Sequence, residues 1–237
     1  MKVLPTLLIL ILITFQSFSQ QPSGKELLEK AIKYHDPSGQ WKNFSGEFIV
    51  TMKTKNKLDR ISNITIDLPK QTFSVKTTIG KNFSEYFIDK NTIQISFNGD
   101  NNPSEETLNK NGLSAARAKM YKDYYTYLYG LPMKLKDPGA IVHHKVMLKE
   151  FNKKKRWMLK VTYPNERGKD TWYFYFNLNS YKMEAYQFFH DESKNDGEYI
   201  LLQDEVIVDK IIMPKVRAWY TNKEKKHLGT DILKVSK

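Results

Sequence analysis

From Phe44 to Phe97 the chain alternates apolar and polar residues with a period of two, and turn-forming residues only two or three long interrupt the pattern. Phe48, Val50 and Met52 alternate with Glu47 and Thr51, and Ile64, Ile66 and Leu68 with Asn63, Thr65 and Asp67. Phe73, Val75, Thr77 and Ile79 continue the pattern, followed by Phe83 to Asp89 and Thr92 to Phe97. Successive strand side chains point to opposite faces, so this spacing predicts five half-buried strands. The breaks are Lys55-Asn56-Lys57, Pro69-Lys70, Gly80-Lys81 and Lys90-Asn91. A parallel crossover needs a dozen or more residues, so strands joined this tightly must be antiparallel neighbours.

A second series follows at about Ile141–Phe151, Lys155–Tyr163, Asp170–Asn177, Tyr181–His190, Glu198–Val208, Ile211–Tyr220 and His227–Val235. Between the two series the period lengthens to that of a helix. Asn102 is expected to cap a short helix with Pro103 at its first position. A second helix is expected from about Ser114 to Tyr129, with Ala116, Met120, Tyr124, Tyr127, Leu128 and Leu131 on its apolar face. Near the start, Ser23-Gly24-Lys25-Glu26 forms a capping box ahead of Leu27, Leu28, Ala31, Ile32 and His35, which share one helical face. The expected fold is mostly β (α+β): one curved antiparallel sheet of 11–12 strands. A sheet that wide must curl or be covered, and the two helical segments are the available cover.

The N-terminus reads as a secretory signal peptide. Lys2 is followed by a nearly unbroken apolar run from Leu4 to Phe15, then by small residues at Ser17 and Ser19. The run is about twelve residues, short of the roughly 20 that span a bilayer. The expected organisation is residues 1–19 as a leader cleaved near Ser19-Gln20 and 20–237 as a single β domain, placed in the periplasm or otherwise exported. With no Cys, the chain can form neither disulfides nor thiolate metal sites, so cohesion falls to packing, for which 13 Phe, 14 Tyr and 4 Trp provide. Net charge is +12, of which Lys2 supplies one. Outside the cytoplasm that charge points to an anionic membrane surface or glycans rather than to nucleic acid, and the plainer reading is solvating Lys on strand faces and turns.

Four stretches resemble a family of uncharacterised secreted envelope proteins within the outer-membrane lipoprotein-sorting superfamily. They are Tyr34-His35-Asp36-Pro37, the run Met120-Tyr121-Lys122-Asp123-Tyr124-Tyr125-Thr126-Tyr127-Leu128-Tyr129-Gly130-Leu131-Pro132, Lys169-Asp170-Thr171-Trp172-Tyr173-Phe174, and Phe189-His190-Asp191-Glu192-Ser193. The order of elements is likewise similar to the periplasmic lipoprotein carrier and its receptor in that superfamily. The resemblance implies a half-open barrel plugged by an N-terminal helix and a central helical excursion, with room for acyl chains between them. Without a lipoprotein Cys the anchored receptor is disfavoured, leaving a soluble carrier-like role.

No catalytic constellation emerges. His143 and His144 are adjacent in a strand and so point to opposite faces. His35 lies on the apolar stripe of its helix, where a core role is the simpler reading. The loop from His190 to Glu198 carries Asp191, Glu192 and Asp196 but misses an EF-hand spacing, because Asp196 stands where a Gly is needed. Ser114 follows Asn111-Gly112 rather than a strand, so it reads as a helix cap and not as a nucleophile elbow. No metal site or cofactor is expected. The unusual segment is Trp172-Tyr173-Phe174-Tyr175-Phe176, aromatic on both faces, followed by Tyr186 and Phe188 in the next strand. Either both faces are covered or one lines a cavity.

The expectation is therefore a non-enzymatic, monomeric carrier of lipid, lipoprotein acyl chains or another amphiphile. Its cavity candidates are Trp172, Phe174, Phe176, Tyr186 and Phe188 with Leu28, Ile32 and His35 of the first helix. The alternatives are a hydrolase or metal-dependent enzyme centred on His35 and His190, and a structural envelope protein without cargo.

Overall fold

A computed structural model describes residues 21–164 and 170–236; the expected leader and cleavage site lie outside the described residues, as do most of the expected Pro164–Gly168 turn and Lys169. The chain opens with α1 (Gly24–His35) and then forms β1 (Ser45–Lys53), β2 (Arg60–Asp67), β3 (Thr72–Ile79), β4 (Asn82–Asp89) and β5 (Thr92–Phe97). The helical excursion follows as α2 (Glu105–Asn111) and α3 (Ala115–Gly130). The second meander is β6 (Ile141–Phe151), β7 (Lys154–Thr162), β8 (Thr171–Phe176), β9 (Met183–Phe189), β10 (Glu198–Val208), β11 (Ile211–Thr221) and β12 (His227–Val235). All twelve strands form one antiparallel sheet in the order β5-β4-β3-β2-β1-β12-β11-β10-β9-β8-β7-β6. The two meanders join where β1 pairs with β12, Phe48 opposite Val235 and Lys53 opposite Thr230.

The sheet does not close: β5 and β6 are its two edges, and the excursion carrying α2 and α3 runs between them. Both helices of real length pack on the same face. α1 lies against β6, β7 and β11, and α3 against β3, β4 and β5. That inner face holds the main core, including Phe48, Ile64, Val75, Leu159, Phe174, Phe176 and Ile200. Glycine lets α1 come so close, since a Cβ on Gly24 would stand 2.0 Å from the His143 carbonyl oxygen.

Local chemistry explains the helix starts. In the capping box of α1 the Glu26 N–H donates to Ser23 Oγ (3.3 Å) while Glu26 Oε2 accepts from the Ser23 N–H (2.8 Å). Ser114 caps α3 by accepting the Arg117 N–H at 3.1 Å. The start of α2 differs from the expectation. Ser104, not Asn102, is the cap, accepting from Thr107 N at 3.2 Å, because Asn102 is held in the preceding turn by Asp100. The buried side of α3 also differs. It carries Ala118, Tyr125, Leu128 and Tyr129, whereas Ala116 and Met120 face solvent. Its aromatic residues run around the helix rather than along one stripe, because the half-barrel surrounds its C-terminal half from several sides.

Candidate functional site

The aromatic strand β8 is covered on both faces. Trp172, Phe174 and Phe176 point inward with the main core, while Tyr173 and Tyr175 join a small outer cluster with Phe151, Met158, Ala185 and Leu201. Phe151 stacks on Tyr175 at 4.1 Å between ring centroids. The inner row spans both helices. At one end Trp172 meets Tyr127 of α3 (5.9 Å) and Phe188 of β9 (4.9 Å). At the other, Phe176 is opposite Met183, whose N–H bonds His35 of α1. Phe174, Phe176 and Tyr186 are fully buried and Leu28 nearly so, whereas Trp172, Phe188 and Ile32 are half-buried.

His35 has a defined chemical state. Its Nε2 accepts the Met183 N–H at 3.0 Å, so the proton must sit on Nδ1, which donates to the Ile212 carbonyl at 2.7 Å. Burial drives its pKa down to about 4, against the opposing pull of the Ile212 carbonyl and Glu205. Both ring nitrogens are thus engaged in pinning α1 to β9 and β11. His190 follows the far end of β9, exposed and 2.7 Å from Asp170 Oδ1, which raises its pKa. Seven residues of strand at ~3.3 Å each separate Met183 from His190, so the two imidazoles cannot share a reaction centre.

The acidic loop beyond His190 spends its carboxylates separately. Asp191 caps a short 3-10 turn by accepting from Ser193 N, and Asp196 accepts from Asp191 N. Glu192 accepts from Tyr173 Oη at 2.5 Å and pairs with Lys160 at 3.2 Å. Among the described residues no three His, Asp or Glu side chains converge as a metal site.

A polar group not singled out in the sequence lies on the inner face between sheet and α3. Arg217 and Asp231 are cross-strand neighbours on β11 and β12, 1% and 3% exposed. The Arg217 guanidinium donates to the carbonyls of Pro214 (3.0 Å) and Leu128 (3.2 Å) and lies 3.9 Å from the centroid of the Tyr129 ring. Asp231 accepts from Trp219 Nε1 at 3.0 Å. Burial raises the Asp231 pKa, while Arg217, the Trp219 hydrogen bond and Arg60 act against it. Three buried polar atoms here lack a partner among the described residues, Arg217 Nε, Asp231 Oδ1 and Tyr129 Oη, and Tyr186 Oη is buried against Arg217. Aromatic rings surround them, with Tyr124 stacked on Trp219 (6.4 Å) and Trp219 edge-on to Tyr186 (6.3 Å). Burial raises the pKa of Tyr124, Tyr129 and Tyr186, so all three phenols stay neutral.

The model of a family of unknown function, DUF6503, matches residues 4–235, essentially the whole described chain. The chain belongs to that family. No curated protein matches it. Among solved structures it is similar to a LolA superfamily protein from Nitrosomonas europaea, at 8% identity over 90% of this chain and 92% of that one, with a TM-score of 0.48. It is also similar to a putative outer membrane lipoprotein-sorting protein domain from Vibrio parahaemolyticus, at 10% identity over the same 90% and 92%, with a TM-score of 0.47.

Proposed function

We propose that this DUF6503 protein is a non-enzymatic binding module of the cell envelope, holding a lipid, an acyl chain or another amphiphile between α3 and the inner face of the sheet. One observation supports this reading above others: three polar atoms are buried without partners among the described residues beneath an aromatic helix that roofs an open sheet. Native interiors satisfy nearly all buried polar groups, and each orphan costs about 1–3 kcal/mol. An interior that keeps three such atoms together under α3 is not stabilised as a finished core. Water or the polar part of a guest would satisfy them. Apolar guest surface would gain roughly 25 cal/mol per Å² buried. The sequence's net charge of +12 favours delivery at an anionic membrane surface.

Within this reading the guest meets Trp172 and Phe188 first, because they are half-buried at the Tyr127 end of the inner row. The fully buried Phe174 and Phe176 hold the wall behind them. The test is displacement of a fluorescent fatty acid from the protein and its Trp172→Ala, Phe188→Ala and Tyr173→Ala variants. The inner two should lose roughly tenfold or more in affinity, about 1.4 kcal/mol, with little change in melting temperature, and Tyr173→Ala should bind as wild type. A wild-type protein that binds no probe, and carries no lipid in native mass spectrometry, would end the proposal.

A further inference from the structure

The inner face changes character toward the end where α2 gives way to α3. Along β2 and β3 the inward row is apolar at Ile64, Ile66, Phe73 and Val75, then turns polar at Ser62, opposite Thr77, and at Arg60, opposite Ile79. There the sheet and the helices leave an open cleft of about 380 Å³. Its walls are mixed. Phe83, Phe97, Ile79 and Leu113 supply apolar surface, and Arg60 and Arg117 supply charge, with no carboxylate on the lining among the described residues.

Two side-chain atoms of this lining, Arg60 Nε and Thr77 Oγ1, are buried without a hydrogen-bond partner among the described residues, and Tyr86 Oη is buried beside Ser84 and Arg117. Tyr86 is 1% exposed and Thr77 5%. Burial raises the Tyr86 pKa while Arg117 and Ser84 pull it down, so the hydroxyl stays a neutral donor beside a cation. Arg117 uses Nη1 on the carbonyls of Asn111 (3.3 Å) and Gly112 (2.8 Å), which fixes its guanidinium at the rim. A cation with a free N–H, a hydroxyl without a partner, a second hydroxyl beside Arg117 and that anchored cation all border one solvent-connected space. Hydrogen bonds from such donors to an oxyanion are about twice as strong as neutral ones.

We propose that this cleft is an anion-binding site for a phosphate or carboxylate group, with Arg60, Thr77 and Tyr86 as its floor and Arg117 at its rim. The apolar walls fit the first methylenes of a chain attached to that group. The site itself stands on these donors; only the identification of the anion as the head of an amphiphile rests on the carrier reading above.

Calorimetric titration with decyl phosphate, decanol and inorganic phosphate tests it, using wild type, Arg60→Gln and Arg117→Gln. Arg60 makes no hydrogen bond through its guanidinium among the described residues and meets Asp231 through its charge alone, so Arg60→Gln should keep the fold with at most a modest fall in melting temperature, and the exposed Arg117 gives a second variant that keeps the fold. Decyl phosphate should bind at least roughly tenfold more tightly than decanol. Both variants should erase that difference and leave decanol unchanged. Equal affinity for the two chains, or a phosphate preference that survives Arg60→Gln, would overturn the anion site while leaving the carrier reading intact. Binding of inorganic phosphate that Arg60→Gln abolishes, with no decanol bound, would support the site and overturn the carrier reading instead. A preference for decyl phosphate without binding of inorganic phosphate would identify the anion as a head group.

Discussion

Acid should weaken this fold through one residue. His35 is fully buried, donates from Nδ1 to Ile212 and accepts at Nε2 from Met183. Protonating it would replace the acceptor with an N–H aimed at another N–H, in a site that burial already makes hostile to charge. Its pKa falls from 6.5 to about 4, so between those values the folded chain binds fewer protons than the unfolded one. Stability therefore falls as pH drops through that window and is flat above it. At 1.36 kcal/mol per unit the whole shift is worth ~3 kcal/mol, and the step from pH 7 to pH 5 ~2 kcal/mol. With a urea slope of ~2 kcal/mol/M the unfolding midpoint should move by about 1 M. The control is His35→Gln, which lowers stability at every pH but removes the titration. Its midpoint should move far less over the same range, and the wild-type-minus-variant difference cancels the opposite contribution of His190, which is distant and independent. A His35→Gln protein whose midpoint falls as steeply as wild type would refute the reasoning.

Two further outcomes follow from the same geometry. Phe174→Ala should cost ~3–5 kcal/mol in urea unfolding, as truncation of a fully buried ring does, whereas Tyr173→Ala, on the outer patch, should cost clearly less; equal costs would mean the inner and outer faces of β8 have been misjudged. Asp170→Asn should lower the His190 pKa measured by NMR titration, because the Asp170 hydrogen bond is the first cause of its rise, and an unchanged titration would show that the 2.7 Å contact does not persist in solution.

Most of the fold was legible because period-two alternation and short turns act locally. The twelve strands lie within a few residues of where Phe44–Phe97 and Ile141–Val235 place them. Closure of β1 on β12 was not legible, since no local pattern tells the first strand that its second neighbour is the last. The helix starts show the same limit on a smaller scale. Ser23 and Ser114 are caps whose partners lie three residues on, in plain sequence reach. Asn102 has equal intrinsic merit as a cap, and loses to Ser104 only because Asp100 occupies it. On α3 the expected stripe holds at Tyr124, Tyr127, Leu128 and Leu131 but not at Ala116 and Met120, because a helix enclosed by a half-barrel need not be amphipathic along its whole length. Tyr121, Tyr124, Tyr125, Tyr127 and Tyr129 each reach a different part of the inner face.

The candidate sites hid for a related reason. Aromatic patterning marks Trp172 and Phe188 as candidates but is silent on charged residues, which ordinarily face solvent. Parity contained the missing signal for β2. Arg60 and Ser62 have the same parity as Ile64 and Ile66, so the alternation that buries the isoleucines must turn the arginine inward as well. A charge at an inward position of a strand is costly unless something meets it. Arg217 is met by the carbonyls of Pro214 and Leu128 and by the Tyr129 ring. Arg60 makes no such contact through its guanidinium among the described residues; it opens instead onto a cleft with another arginine at its rim. The same residue type at equivalent inward positions thus has two different fates in one sheet. The arginine that β11 buries serves to hold the helix, and the one at the open end of β2 meets Asp231 through its charge but leaves its buried Nε without a hydrogen bond among the described residues.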